Sequence, residues 1–244
     1  MDELKNKART IIRTLRKEFP GATTALEYRT PFQLLVATIL SAQCTDMRVN
    51  KVTPGLFQKY PGPREMAAAV PGELEQEIRS TGFFRMKTKN IMACSSSILE
   101  RHGGNVPADF GALVALPGVG RKTANCVMGA AFGVNSGVVG DTHVQRISKL
   151  LGLTKEEDPV KIEKDLMATV PRKDWYDFSN VLILHGRKTC IARRPKCQEC
   201  GILRECPFGL AQKGSSATEK TTRAIRKLHG AGESSPKRAR KRLG

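Results

Sequence analysis

A lysine, an aspartate and four cysteines stand where their types and spacing could do chemistry. Lys122 follows the run Leu116-Pro117-Gly118-Val119-Gly120 and falls in the first turn of the helical stretch that leaves it. There the positive end of the helix macrodipole opposes an ammonium charge, and burial would oppose it further, so the neutral amine is favoured. A neutral amine can attack a sugar C1′ and form a Schiff base. The competing reading is that Lys122 simply contacts a phosphate. Asp141 opens the run Asp141-Thr142-His143-Val144, just after Val138-Val139-Gly140. It is placed to cap a helix N-terminus, and also to stabilise an oxocarbenium-like sugar as a glycosidic bond breaks. One carboxylate can do both.

Cys190, Cys197, Cys200 and Cys206 are spaced C-x6-C-x2-C-x5-C, within a basic segment that holds Arg187, Lys188, Arg193, Arg194 and Lys196. The chain has seven cysteines, an odd number, and this crowding in a reducing compartment points to metal ligation rather than disulfides. Unpaired, such thiolates would be reactive and mutually repulsive. Structural zinc usually takes two short cysteine pairs, whereas here one short pair is flanked by longer gaps. A [4Fe–4S] cluster suits the spacing better. It would fix the loop so that its cations face phosphate, a structural role rather than a redox one.

The charge balance calls for a polyanion. Lys and Arg number 41 against 23 Asp and Glu, a formal charge of +18 on 244 residues. From Lys213 to Arg242, ten basic residues face only Glu219 and Glu233, a surplus of eight that leaves ten positive charges on the rest of the chain. The basic character therefore belongs to the folded body as well as to the tail. Nucleic acid outranks a membrane as partner, because no amphipathic basic helix with an exposed aromatic face is evident. The first twenty residues lack an apolar run of signal-peptide length, and no segment approaches the ~20 apolar residues of a membrane span. The protein is expected inside the cell, in the cytoplasm or nucleoid if bacterial.

Positioning these residues falls to helices. Leu4, Ala8, Ile11, Ile12, Leu15 and Phe19 recur at helical spacing before Pro20-Gly21. Thr30-Pro31-Phe32-Gln33 reads as an N-cap, a first-turn proline and a capping-box glutamine, followed by Phe32, Leu35, Val36, Ile39 and Leu40 on one face. Pro61-Gly62-Pro63, Pro71-Gly72, Gly103-Gly104, Asp158-Pro159 and Pro171 punctuate further apolar segments of helical length. The chain reads as all-α. From Gly214 onward Ser, Thr, Gly, Lys and Arg dominate, a disordered tail that would add nonspecific DNA affinity.

The run from Leu116 to Gly120 joins the helical stretches Phe110–Ala115 and Lys122–Phe132, and forces a tight turn. With no side chains at Gly118 and Gly120, backbone N–H groups there and at the following helix start can approach a phosphate oxygen closely. Such a grip holds a DNA backbone without reading its sequence. A plain αα-hairpin turn is the competing reading. A nucleotide-binding P-loop is excluded, because Arg121 separates Gly120 from Lys122.

Taken together, Leu116-Pro-Gly-Val-Gly-Arg-Lys-Thr-Ala124, Asp141-Thr-His143, Leu184-His-Gly-Arg187 and the four-cysteine loop resemble the endonuclease III family of DNA glycosylases, over roughly Leu4 to Phe208. The resemblance implies a helix-hairpin-helix DNA glycosylase fold of two helical domains flanking a DNA-binding cleft. One would be central, 22–134; the other would combine 1–21 with 135–211 and carry the [4Fe–4S] cluster; 212–244 would be the basic tail. It also implies a bifunctional DNA glycosylase and AP lyase of base excision repair, working as a monomer on double-stranded DNA with damaged bases or abasic sites. Lys122 matches the Schiff-base lysine and Asp141 the catalytic aspartate. The implied chemistry is attack at C1′, loss of an oxidised pyrimidine, then β-elimination. Leu40-Ser41-Ala42-Gln43-Cys44-Thr45-Asp46 resembles the family segment whose glutamine fills the gap left by a flipped base, and Gly82-Phe83-Phe84-Arg85 the loop that wedges bases apart. Gln43 and Phe83 inherit those roles, with Leu116, Gly118, Val119 and Gly120 as the hairpin's DNA contacts.

Two departures stand out. Phe83 replaces the family's usual leucine, and Val134 to Gly140 runs one residue longer than expected, with Gly140 where an apolar residue usually precedes the aspartate. Asp141 is therefore expected to have more freedom. The alternatives are a monofunctional mismatch glycosylase and a noncatalytic or weakly active DNA-binding iron-sulfur protein. Lys122 together with Asp141 argues against the second.

Overall fold

In the computed structural model, which describes residues 2–212, all regular structure is helical and no strand occurs among those residues. The expected basic tail lies outside the described residues apart from residue 212. Helix α1 (Asp2–Glu18) buries Ala8, Ile11, Ile12 and Leu15, while Leu4, expected on the same stripe, stays exposed. Its first turn is acidic and its last turn basic, the order the helix dipole favours.

Helix α2 (Pro31–Leu40) begins at Thr30, whose Oγ1 accepts the Gln33 N–H at 3.2 Å. Gln33 reaches back to the N–H of Arg29 at 2.9 Å, one residue short of the partner a capping box uses. Burial is not confined to one stripe. Phe32 and every residue from Leu34 to Leu40 are buried, the mark of a helix enclosed on all sides. Around it lie α3 (Asp46–Lys59), α4 (Pro63–Ala67), α5 (Pro71–Ile78), α6 (Phe84–His102), α7 (Phe110–Val114) and α8 (Arg121–Phe132). Together they bury one hydrophobic core, from Leu26 to Met128. A second core joins α1 to α9 (Thr142–Leu150), α10 (Pro159–Thr169) and α11 (Trp175–Lys188), with Val138 and Ile202.

The turn between α7 and α8 uses its two glycines differently. Gly118 has φ +74°, and a Cβ there would come within 2.7 Å of the Asn90 Cβ in α6. Its lack of a side chain serves close packing and a left-handed backbone. Gly120 has φ −90° and nothing within 4 Å of a Cβ position, so the start of α8 opens outward. Leu116 and Val119, by contrast, are buried in the first core.

The stretch 134–140 is tied down at nearly every step. The Val134 N–H donates to the Met128 carbonyl, Asn135 Oδ1 accepts the Tyr176 N–H, and Ser136 Oγ donates to Asn125 Oδ1 at 2.8 Å. The Val139 N–H donates to Ser179 Oγ at 2.9 Å, and the Gly140 carbonyl accepts from Gln145 Nε2. The freedom expected for Asp141 from the longer stretch is not what the structure shows, because α8, α9 and α11 each supply partners for it.

Gly118→Ala is expected to lose about 1–3 kcal/mol of stability from left-handed strain plus overpacking. Gly120→Ala should stay within about 0.5 kcal/mol of wild type. Urea unfolding of the two variants side by side checks the contrast.

Candidate active site

Lys122 and Asp141 meet across the boundary between the two cores. Lys122 stands in the first turn of α8, and its Nζ donates to Asp141 Oδ2 at 2.9 Å. Asp141 is the N-cap of α9, and its Oδ1 accepts both the His143 N–H and the His143 ring Nδ1 at 2.8 Å. The cap and the lysine contact therefore use different oxygens. Burial pushes the Asp141 carboxyl up, but the Lys122 ammonium and the His143 hydrogen bonds outweigh it and hold the pKa down at about 2. The Lys122 side chain is 58% exposed, against 17% for Asp141. The burial expected to oppose the Lys122 charge is not found, since its side chain is mostly exposed.

The pair sits in a cleft that is lined from both cores. Thr38 and Ser41 come from α2 and its end, Cys126 from α8, and Tyr176, Asn180 and Arg187 from α11. Cys126 lies one turn beyond Lys122, and burial pushes its thiol pKa up, so it stays protonated. Tyr176 closes one side: its hydroxyl meets Thr23 Oγ1 at 2.9 Å and its ring fills the space left by Gly129. Across the mouth, Arg187 donates to Asp46 Oδ2 at 2.8 Å.

A second polar knot fixes α8 against α10. Arg121 makes a two-pronged contact with Glu163, both distances 3.0 Å, and Asn125 Nδ2 donates to the same carboxylate. Arg121 is also held over the Phe110 ring. Residues on either side of Lys122 in α8 are thus pinned to the element beyond Asp141. Sequence reasoning missed Arg121, Glu163 and Asn125. The available signal was Glu163 itself, a carboxylate beside Ile162 on the buried face of α10, since buried charges need partners.

Gln43 and Phe83 are both exposed and both left-handed, with φ +54° and +49°. Phe83 is 64% exposed, so it is not a core residue. In the hairpin, Gly120 caps α8 without a side-chain bond, leaving the N–H groups of the first turn without a side-chain partner.

The four cysteines converge after α11. Cys190, Cys197, Cys200 and Cys206 line one cavity, with His185, Ile147, Leu151, Ile202 and Phe208 among its other walls. Arg146 and the Gly209 N–H donate to the sulfurs of Cys190 and Cys206. Burial, with the neighbouring thiols acting the same way, pushes Cys200 up to about 11. Among the described residues no three His, Cys, Asp or Glu side chains are gathered tightly enough for a single metal ion.

Residues 36–172 match the HhH-GPD superfamily of base excision DNA repair proteins. The endonuclease III of Synechocystis sp. is 54% identical over 211 residues, spanning 86% of this chain and 96% of that relative. The chain belongs to the endonuclease III family. Two solved endonuclease III structures, a non-covalent DNA complex and a trapped covalent DNA intermediate, each match with a TM-score of 0.81 and 42% identity. Each match covers 86% of this chain and 98% of the other.

In this endonuclease III homologue, folding brings Lys122 and Asp141 into contact, leaves Gln43 and Phe83 exposed, and gathers the four cysteines on one separate cavity. It does not expose Leu116 or Val119, whose side chains are core, so only their backbone is left for a ligand. Two of the five cations expected to face phosphate are engaged internally: Arg187 by Asp46, and Lys188 by Glu18 and the Phe19 ring. Arg193, Arg194 and Lys196 remain exposed. Among the described residues no helix is long and apolar enough to cross a membrane.

The depressed Asp141 pKa gives a pH test. A carboxyl lowered from its ordinary 3.8 to about 2 adds stability that is complete above roughly pH 4 and lost as pH falls through about 2. Wild type should exceed Asp141→Asn by about 2 kcal/mol near neutrality, with the gap holding down to about pH 4 and narrowing as pH falls from about 4 through about 2. Urea midpoints across that range check it.

Proposed function

We propose that the protein is a bifunctional DNA glycosylase and AP lyase of base excision repair that removes oxidised pyrimidines from double-stranded DNA. The Lys122–Asp141 pair carries this reading: an amine and a carboxylate whose pKa is held low, in one cleft, within a family that includes a trapped covalent DNA intermediate. Deprotonated Lys122 attacks C1′, and the base departs. The carbon–nitrogen bond to the base breaks as the new one to Nζ forms, and the base leaves with the proton that Nζ gives up. The C1′–O4′ bond then opens, O4′ taking a proton from water, to give a Schiff base whose C2′ protons are acidic, so that loss of one expels the 3′ phosphate and cuts the strand by β-elimination. Asp141 is poorly suited to store a proton, because its pKa lies near 2. Its part is electrostatic: it faces the cationic sugar as the base leaves and orients the lysine.

Gln43 fills the vacated position, Phe83 wedges the bases, and the hairpin holds phosphate through the backbone of Gly118 to Gly120 and the start of α8. The separate cores support two helical domains, 22–134 and 1–21 with 135–211, and one chain carries both Lys122 and Asp141, as a monomer requires.

Cys190, Cys197, Cys200 and Cys206 are the residues that would hold a [4Fe–4S] cluster. The donor set fits: four thiols on one cavity, two with N–H donors aimed at sulfur, and apolar walls that disfavour bare thiolates. When bound, the cluster supplies a covalent clamp on the loop.

Borohydride reduction during incubation with thymine-glycol or abasic duplex should trap a covalent adduct, and Lys122→Ala should abolish it. No wild-type adduct on either substrate, despite DNA binding, would rule out the lyase. Cys200→Ser should lose visible cluster absorption and unfold at a lower temperature, because ligand binding energy is also folding energy.

A further inference from the structure

The side chains assigned to enter the base stack sit on turns far apart in sequence, and one buried ammonium joins those turns. Gln43 follows α2 and Phe83 precedes α6, and they are the only non-glycine residues with positive φ among the described residues. Left-handed backbone is unfavourable for such side chains and persists only where the surroundings hold it. Lys87, one turn into α6, is 4% exposed. Its Nζ donates to the Leu40 carbonyl at 2.7 Å and to the Thr81 carbonyl at 2.8 Å. Leu40 is the last residue of α2, three before Gln43, and Thr81 is two before Phe83. The Lys87 backbone N–H donates to the Phe83 carbonyl itself at 3.1 Å.

No carboxylate pairs with Lys87 in the described ion pairs; its partners are carbonyl groups at the ends of a helix and a turn. The Leu40 carbonyl is among those left without an intrahelical partner at the negative end of α2, where a cation is favoured. Burial lowers the Lys87 pKa, with Cys44 acting in the opposite sense.

We propose that Lys87 is a positioning residue that locks the Gln43 turn to the Phe83 turn, so that gap filling and wedging act on one lesion as a unit. The proposal rests on the reading of the protein as a glycosylase whose Gln43 and Phe83 enter the duplex. An apolar residue of the same length would leave two buried carbonyls unpaired and let the turns move independently.

The test uses the full-length holoenzyme under single turnover on two substrates. One is a duplex with thymine glycol opposite adenine, which must be opened. The other is the same duplex with an abasic site facing a one-nucleotide gap, where no partner base remains to displace. Wild type inactive on both would overturn the glycosylase reading itself, before Lys87 is considered. Lys87→Met should slow the paired substrate about tenfold or more, the scale of losing a hydrogen bond to a charged donor, and the gapped one less than about twofold. Added to Gln43→Ala with Phe83→Ala, it should cause no further loss, because it acts through those residues. Equal loss on both substrates, losses that multiply, or an unchanged paired rate would each overturn the proposal. If Lys87→Met does not accumulate as holoenzyme, Lys87→Arg carries the test: its larger fork displaces the two carbonyls while keeping the charge. It too should slow the paired substrate selectively, and equal effects on both would overturn the proposal.

Discussion

Two helix N-termini converge on one carboxylate, and the site depends on it. Asp141 caps α9 and also faces Lys122 in the first turn of α8. A lysine in that turn opposes the dipole of its own helix, while an aspartate at an N-cap agrees with its dipole. One anion therefore stabilises a helix start and the cation that would otherwise be misplaced. The contact spans the two cores, so its geometry depends on how they are held together. Arg121, Asn125 and Glu163 do that on one side of α8, and Tyr176 against Gly129 on another.

The division between backbone and side chain recurs in the hairpin. A surface that must accept any sequence gains from N–H groups at a helix start, and gains nothing from side chains that read base edges. Gly120 leaves that start open, whereas Gly118 is small because Asn90 lies against it. Leu116 and Val119 turn inward and anchor the loop in the core. An open helix start and an anchor in the core are shared out along five consecutive residues.

Much was readable from residue types alone. The caps at Thr30 and Asp141 and the punctuation by proline and glycine are local effects, and they appear where the chain implied them. The cysteine spacing likewise placed four thiols on one wall-to-wall cavity. Misreadings arose where a remote partner mattered. The helix that carries Lys122 sets only the dipole around it; the carboxylate that meets its Nζ comes from Asp141, nineteen residues on. The stretch before Asp141 looked loose because its partners, Tyr176 and Ser179, come from α11.

The sequence by itself determined the helical class, the order of elements, the hairpin and which lysine and aspartate are the candidates, because each follows from short-range sterics, hydrophobic period or a motif of contiguous residues. Only the tertiary structure decided which cations stay free, which hairpin residues face out, and how Lys87 reaches Leu40 and Thr81. Those outcomes depend on separations of up to a hundred residues or more, as between Arg187 and Asp46. Local pattern carries no information about which distant group arrives, and burial and Coulomb terms are settled only by that arrival.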